Sequence, residues 1–262
     1  MKKETVGRGF RVPGFTTAGI FCGIKTNKQK DLALIFSEEP SVAAGLFTSN
    51  QVVSPTITWC QEILKSSKRF RAIVVNSGNA NACTGPKGME DCKSLASKLS
   101  QKLSVEPKEI LIASTGIIGV PLPINKIVKA LPALSSKLSP IGWVSSAEAI
   151  MTTDLTPKFK SLSFYIGKDK ITMGGIAKGS GMIHPNMATM LAFIATDAAI
   201  DKKTLGRALR EANNKTFNRI TVDGDTSTND MAILLANGKA ENKSIRGGSS
   251  AYDKFVEKLT EI

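Results

Sequence analysis

Lys178-Gly-Ser-Gly-Met-Ile-His-Pro-Asn-Met-Ala-Thr189-Met190, running straight into Leu-Ala-Phe-Ile-Ala195, is the stretch on which the reading of this 262-residue chain turns. Its glycines and Pro185 constrain the backbone, and a small Ala188 precedes Thr189 at the head of a short buried-strand pattern. Two readings fit these residues. Thr189 is a plain strand residue, the commoner outcome for an Ala-Thr pair. Alternatively, its hydroxyl attacks the Ala188 carbonyl, water resolves the resulting ester, and the freed Thr189 amine then activates its own hydroxyl.

The histidine count bears on that choice. His184 is the single imidazole, and it sits beside Pro185 and Asn186 in a loop-like segment where a histidine without a catalytic role is the plainer reading. A Ser-His-Asp or Cys-His hydrolase would have to be built on it. An enzyme so poor in imidazole needs another base near neutral pH. An α-amino group, with an ordinary pKa of about 7.7–8.0, can serve.

Around this stretch, strands and helices alternate. Arg71-Ala-Ile-Val-Val75 reads as a buried strand entering a turn-rich loop over 76–82, and Ile110-Leu-Ile-Ala113 as a strand ending in Ser114-Thr-Gly116. Met89, Cys92, Leu95, Leu99 and Leu103 recur at helical spacing. Ser145-x-x-Glu148 has the form of a capping box and predicts a short helix delivering Met151-Thr-Thr-Asp154 to a loop. Leu205, Ala208, Leu209 and Ala212 mark a helix face behind a candidate N-cap at Asp201. This is α/β architecture, with helices packed on sheet faces. The segment from Gly238 to Ala251 turns polar, and no repeat or linker separates two halves.

Composition excludes several classes. The apolar runs at 190–195 and 232–236 are far shorter than the roughly 20 residues of a membrane span. The basic start lacks an apolar region behind it and does not fit a secretory signal, so the expected location is the cytoplasm. Cys22, Cys60, Cys83 and Cys92 form no C-x-x-C pair and read as buried reduced thiols, not a zinc site. The net charge of +13 attracts anions without naming one; the basic residues are scattered and aromatics are 6% of the chain, which argues against a nucleic-acid surface. Gly174-Gly-Ile-Ala-Lys-Gly-Ser180 has the wrong order and spacing for a phosphate loop. Asp223-Gly-Asp-Thr-Ser227 opens like a calcium loop, but Thr228 and Leu234 stand where Gly and Glu are required. It reads as a hydrogen-bonded turn supporting a nearby site.

Seven ordered stretches then resemble the ornithine acetyltransferase (glutamate N-acetyltransferase) family: Gly14–Gly19, Phe47–Asn50, Asn76–Gly85, Ser114–Pro123, Met151–Asp154, Lys178–Leu191 and Thr221–Asp230. The resemblance implies an α/β fold of layered sheets with helices on the outer faces, of the self-processing N-terminal-nucleophile type. It implies cleavage between Ala188 and Thr189 into an α segment of residues 1–188 and a β segment of 189–262. Thr189 would be the nucleophile, Thr115 and Gly116 the oxyanion hole, and Thr152 and Lys178, with Thr189, the substrate-binding residues; Thr153 is an adjacent alternative to Thr152. The implied reaction is ping-pong acetyl transfer from N-acetylornithine to glutamate in arginine biosynthesis. No metal or tightly bound cofactor is implied, no nucleic acid and no membrane. Some members also accept acetyl-CoA, which makes it a candidate substrate. The family assembles two α and two β segments. Members continue past the point matching Ile262 with an Asp-Gly-Glu-Gly segment and a C-terminal Asn/Thr pair that complete the substrate site, so the resemblance is to a C-terminally truncated member. Two other readings stay open: an amidase or aminopeptidase on the same self-cleaving scaffold, and an inactive remnant.

Overall fold

In the computed structural model, residues 9–182 and 190–262 are described. In chain order they form β1 (Phe15–Ile20), β2 (Leu32–Phe47), α1 (Pro55–Ser66), β3 (Phe70–Asn79), α2 (Gly85–Leu103), β4 (Ile110–Ile117), α3 (Ile124–Ser136), α4 (Trp143–Ile150), β5 (Lys158–Ile166), β6 (Asp169–Lys178), β7 (Leu191–Thr196), α5 (Lys202–Lys215), β8 (Met231–Ala236) and α6 (Ser250–Glu261). The strands run in the order β4-β3-β2-β8-β7-β6-β5, with β1 also on β2.

The long β2 joins two half-sheets. Leu32–Phe36 pairs with β1 and β3, whereas Val42–Phe47 pairs with β8. The ladder to β3 breaks between Phe36 and Ser41, across the exposed Glu38-Glu39-Pro40. Pro40 has no N–H to give a ladder, so a change of partners falls there at little cost.

Successive strand residues point to opposite faces, and both faces are covered. Ile35, Ile73, Val75 and Leu111 of the first half share one apolar core with Ile176, Phe193, Ile233 and Leu235 of the second, joined by Trp143 of α4. One residue along each strand, Leu34, Val74 and Ile112 pack outward on Leu95 and Leu99 of α2 and Ile127 and Leu131 of α3. Ile194 and Leu234 pack on Leu205 and Leu209 of α5 and Phe255 of α6. Burial on both faces is why Ala72–Val75, Leu191–Ala195 and Met231–Ala236 are unbroken apolar runs instead of alternating ones. The layers are helix, sheet, sheet, helix, the architecture expected.

Several local expectations are corrected. The turn-rich loop at 76–82 begins later, because β3 continues to Asn79 and β4 to Ile117. Their polar residues are buried with partners: Ser114 Oγ donates to Asn76 Oδ1 at 2.6 Å, and Ser77 Oγ donates to the Ala149 carbonyl at 2.6 Å. The capping box at 145–148 does not form. Gly142 is the N-cap of α4, so Ser145 lies inside the helix, where its hydroxyl donates back to the Gly142 carbonyl. Glu148 instead pairs with Lys30. The Asp201 cap stands, its carboxylate accepting from Thr204 N at 3.0 Å. All four thiols are free; Cys60 and Cys92 are buried and Cys22 partly so, but Cys83 is exposed. Burial pushes the thiols of Cys22, Cys60 and Cys92 up to about 12, which makes them poor nucleophiles.

Candidate functional site

A cleft of about 700 Å³ opens where the ends of β3, β4 and β6 meet the segment preceding β8. It collects Thr115 and Gly116 from β4, Thr152 and Thr153 from the loop after α4, and Lys178 from the end of β6. The sequence-predicted residues that are described therefore converge. Thr189 and Ala188, like His184, lie outside the described residues.

Gly116 shows why the sequence needs glycine here. Its φ of +135° is one L side chains rarely adopt, and a Cβ would stand 2.3 Å from the carbonyl carbon of Gly78 on the paired strand β3. Two glycines in register, Gly78 and Gly116, let the parallel strands approach as they leave the sheet. Thr115, one residue earlier, is 8% exposed. The Lys178 ammonium donates to its Oγ1 at 2.9 Å. An ammonium has no acceptor, so the hydroxyl accepts and keeps its own proton for another partner.

Lys178 is 6% exposed. Burial lowers its pKa, opposed by the negative charges of Asp154 and Asp230. The second cleft lysine, Lys25, donates to the Lys30 carbonyl at 2.9 Å and to the Met151 carbonyl at 2.7 Å. Its pKa is also lowered by burial, against the pull of Asp31 and Asp154. Asp31, buried at the head of β2, gathers the backbone N–H groups of Cys22, Ile24 and Lys25 at 2.6–2.9 Å, which shapes the cleft wall around Lys25.

The opposite wall is the Asp/Thr/Asn-rich segment before β8, the hydrogen-bonded turn expected there. Asp223, Asp225, Ser227, Thr228 and Asn229 border the cleft. The Asn229 amide donates to the carbonyls of Ala80 at 2.6 Å and Ser114 at 2.9 Å, tying this wall to the ends of β3 and β4. Met182 N donates to Asp223 Oδ2, and Met231 N donates to the Met190 carbonyl at 3.0 Å. On the N-terminal side of residues 183–189 the chain lines the cleft through Gly181 and Met182. Across β6 and β7, Lys178 is the register partner of Leu191.

Lys25, Asp31, Asp154 and Asn229 were not among the sequence-predicted site residues. An acidic residue opening a buried run, as in Asp31-Leu-Ala-Leu-Ile35, is a signal that could have found one of them. Among the described residues no group of three or more His, Cys, Asp and Glu could hold a metal ion, and no helix is long and apolar enough to cross a membrane.

Known proteins are similar to this chain in sequence and fold. A protein of Caldanaerobacter subterraneus subsp. tengcongensis, called arginine biosynthesis bifunctional protein ArgJ, is 50% identical over 246 residues, covering 94% of this chain and 60% of its own length. The crystal structure of the ornithine acetyltransferase of Mycobacterium tuberculosis, complexed with ornithine, superposes with a TM-score of 0.58 at 35% identity, over 68% of this chain and 95% of that one. The fold alone is shared with the L-aminopeptidase D-Ala-esterase/amidase of Ochrobactrum anthropi, described as a variant of the Ntn hydrolase fold: TM-score 0.58, 13% identity, 98% of this chain and 86% of that one. The chain spans 60% of the first relative's length. The model of the ArgJ family matches residues 16–262, nearly everything from β1 to α6, and the chain belongs to that family.

Proposed function

We propose that the chain carries the acetyl-transferring centre of an ornithine acetyltransferase, moving acetyl from N-acetylornithine to glutamate in arginine biosynthesis through an ester on Thr189. The observation that carries this reading is the buried Lys178–Thr115 hydrogen bond beside Gly116, facing the cleft. Chain cleavage between Ala188 and Thr189 would divide residues 1–188 from 189–262. The two segments are interleaved, since β7 and β8 pair with β6 and β2, so a break would leave one body.

In the proposed reaction the Thr189 amine takes the proton from its own hydroxyl as Oγ1 attacks the acetyl carbonyl. The oxyanion meets the Thr115 hydroxyl and the Gly116 N–H. Collapse breaks the amide C–N bond, and the leaving amine of ornithine takes the proton. Glutamate's amine then attacks the ester, and the proton returns by the same route. Lys178 pairs with a substrate carboxylate, and Thr152 lines the same wall. A cleft with two lysines and the acidic wall at Asp223 and Asp225 suits a substrate bearing both a carboxylate and an ammonium. The ornithine complex of the Mycobacterium tuberculosis protein supports that class. Acetyl-CoA as a second donor, a heterotetramer of two α and two β segments, and a cytoplasmic setting belong to the same proposal.

Intact-mass spectrometry tests it. Two masses dividing between Ala188 and Thr189 are expected for the wild type and one for Thr189→Ala. Incubation with N-acetylornithine should add one acetyl group to the fragment beginning at Thr189. His184→Gln should process and acylate normally. A single uncut wild-type mass would overturn the reading, and ornithine release that ignores glutamate would convert it to an amidase.

A further inference from the structure

Asp154 takes no part in the chemistry just proposed, yet it ties the Thr152 loop to the end of β6 and to β5. It is 8% exposed, in the loop between α4 and β5. Its Oδ1 accepts from Gly179 N at 2.9 Å and from the Lys158 ammonium, and its Oδ2 accepts from Thr152 N at 3.3 Å. One carboxylate therefore ties the Thr152 loop to the residue that follows Lys178, with Lys158 of β5 closing the far side. The Met151 carbonyl, three residues before Asp154, is the acceptor of the Lys25 ammonium.

We propose that Asp154 is the positioning residue of the cleft: its carboxylate clamps the Thr152 loop onto Gly179 and so aims the Lys178 side chain at Thr115. The same carboxylate also acts through its charge. Burial pushes the Asp154 carboxyl up, but the Lys158 ammonium and the N–H groups of Gly179 and Thr152 together outweigh it and hold the carboxyl below its ordinary value. It is thus ionised at neutral pH. The charged groups facing Lys178 are Asp154 and Asp230, which favour its ammonium, and Lys158 and Lys25, which oppose it. A clamp that also supplies field moves the Lys178 titration in a direction set by the charge removed.

The inference rests on the proposed role of Lys178, but its test needs no turnover. The ε-carbon of each lysine, labelled with carbon-13, is titrated by NMR in the whole chain, and the Lys178 signal is assigned by its loss in Lys178→Arg. Asp154→Asn is expected to move the Lys178 midpoint to lower pH. Lys158→Met removes an opposing charge from a half-exposed side chain and leaves Asp154 unshared, so it moves the midpoint to higher pH. Asp154→Glu keeps the wild-type direction of the field. If Asp154→Asn does not fold, Asp154→Glu carries the test: it keeps the charge but displaces the carboxylate from Gly179 N, so slowed acetylation of Thr189 supports the clamp and undiminished acetylation overturns it. Midpoints that stay put in the folded variants, or that move the same way in both, overturn the proposal. Acetylation of Thr189 is expected to slow on the order of 100-fold in Asp154→Asn, the scale of a misplaced reacting group. If the wild type fails to acetylate while the midpoints move as stated, the functional reading fails and the field of Asp154 at Lys178 stands.

Discussion

The two half-sheets meet the cleft from opposite ends of their parallel strands. In the first half, β3 and β4 arrive with their C-terminal ends, where Ser77 is in register with Thr115 and Gly78 with Gly116. In the second half, β7 and β8 begin there, with Leu191 in register with Met231. Ends and beginnings offer different chemistry. Strands that end can release a buried hydroxyl and a bare glycine into the cleft while their ladder stays complete behind. Among the described residues the second half's pairing at the cleft starts with Met231 N donating to the Met190 carbonyl, one residue past Thr189. On the function proposed above, the first half would supply fixed donors, and the half whose strand starts at the cleft would supply the position where a new terminus appears.

Gly116→Ala is the most damaging way to break that division. Its Cβ would meet backbone, the Gly78 carbonyl carbon at 2.3 Å and Asn79 N at 2.4 Å, and φ is +135°. Overpacking and backbone strain together should cost about 4 kcal/mol. Gly119→Ala is the control. It also has a positive φ, +81°, but nothing lies within 4 Å of the added carbon, so about 1 kcal/mol is expected. Urea denaturation of the two variants measures the difference; equal losses would mean that backbone contact at 116 is not what makes glycine necessary.

The seam between the halves is next. Asn229 stands two residues before β8 and donates to two carbonyls of the first half. Asn229→Ala should leave the Ala80 and Ser114 carbonyls without those donors and cost about 3 kcal/mol. Hydrogen exchange should quicken at Ile117 and Met231 more than in α2 or α6. Uniform loosening would show that the seam is not a local joint.

How much of this was legible in the sequence depended on how local the interaction is. The apolar runs of β3, β7 and β8 and the helical spacing of Met89, Cys92, Leu95 and Leu99 were visible because a buried face is written at a fixed period. Thr115, Gly116, Thr152 and Lys178 were reached through ordered family motifs, and the fold brings them to one cleft. Asp154, Lys25 and Asn229 were not reached. Each has a backbone partner far along the chain, 25, 126 and 149 residues away, and a carbonyl or an N–H leaves no mark on the sequence. The extension of β3 to Asn79 was missed for a related reason: Asn76 and Ser77 look like turn residues until Ser114 and the Ala149 carbonyl appear beside them.

A third test addresses the end of the second half away from the cleft. Asp197 follows β7, is 3% exposed and accepts from Thr172 N at 2.7 Å. Burial raises its carboxyl from 3.8 to about 6. A carboxyl whose folded pKa lies above its unfolded one is stabilising in its protonated form. That contribution is complete below pH 3.8 and is lost as the pH rises through about 6. By linkage the loss is on the order of 2 kcal/mol. Asp197→Asn should flatten this part of the stability–pH curve and gain stability at pH 7 relative to wild type. Thermal melts across pH 4 to 7 read both; unchanged slopes would place the titration elsewhere.

The smallest expected effect separates two polar residues that the sequence treats alike. Asp201 and Ser145 each stand before an apolar helical pattern, and each has the form of an N-terminal cap. In the structure only Asp201 caps, with extended backbone and a carboxylate on Thr204 N. Ser145 has been drawn inside α4, because Gly142 packs so closely on β1 that an added Cβ would lie 1.9 Å from the Thr17 carbonyl oxygen. That contact fixes where the helix starts, two residues before the box. Asp201→Ala should therefore cost about 1 kcal/mol. Ser145→Ala removes only a bond to a carbonyl within the same helix and should change stability by a few tenths of a kcal/mol at most. Equal losses in paired denaturant titrations would mean that the start of α4 is set by its side chains and not by the close approach of Gly142 to β1.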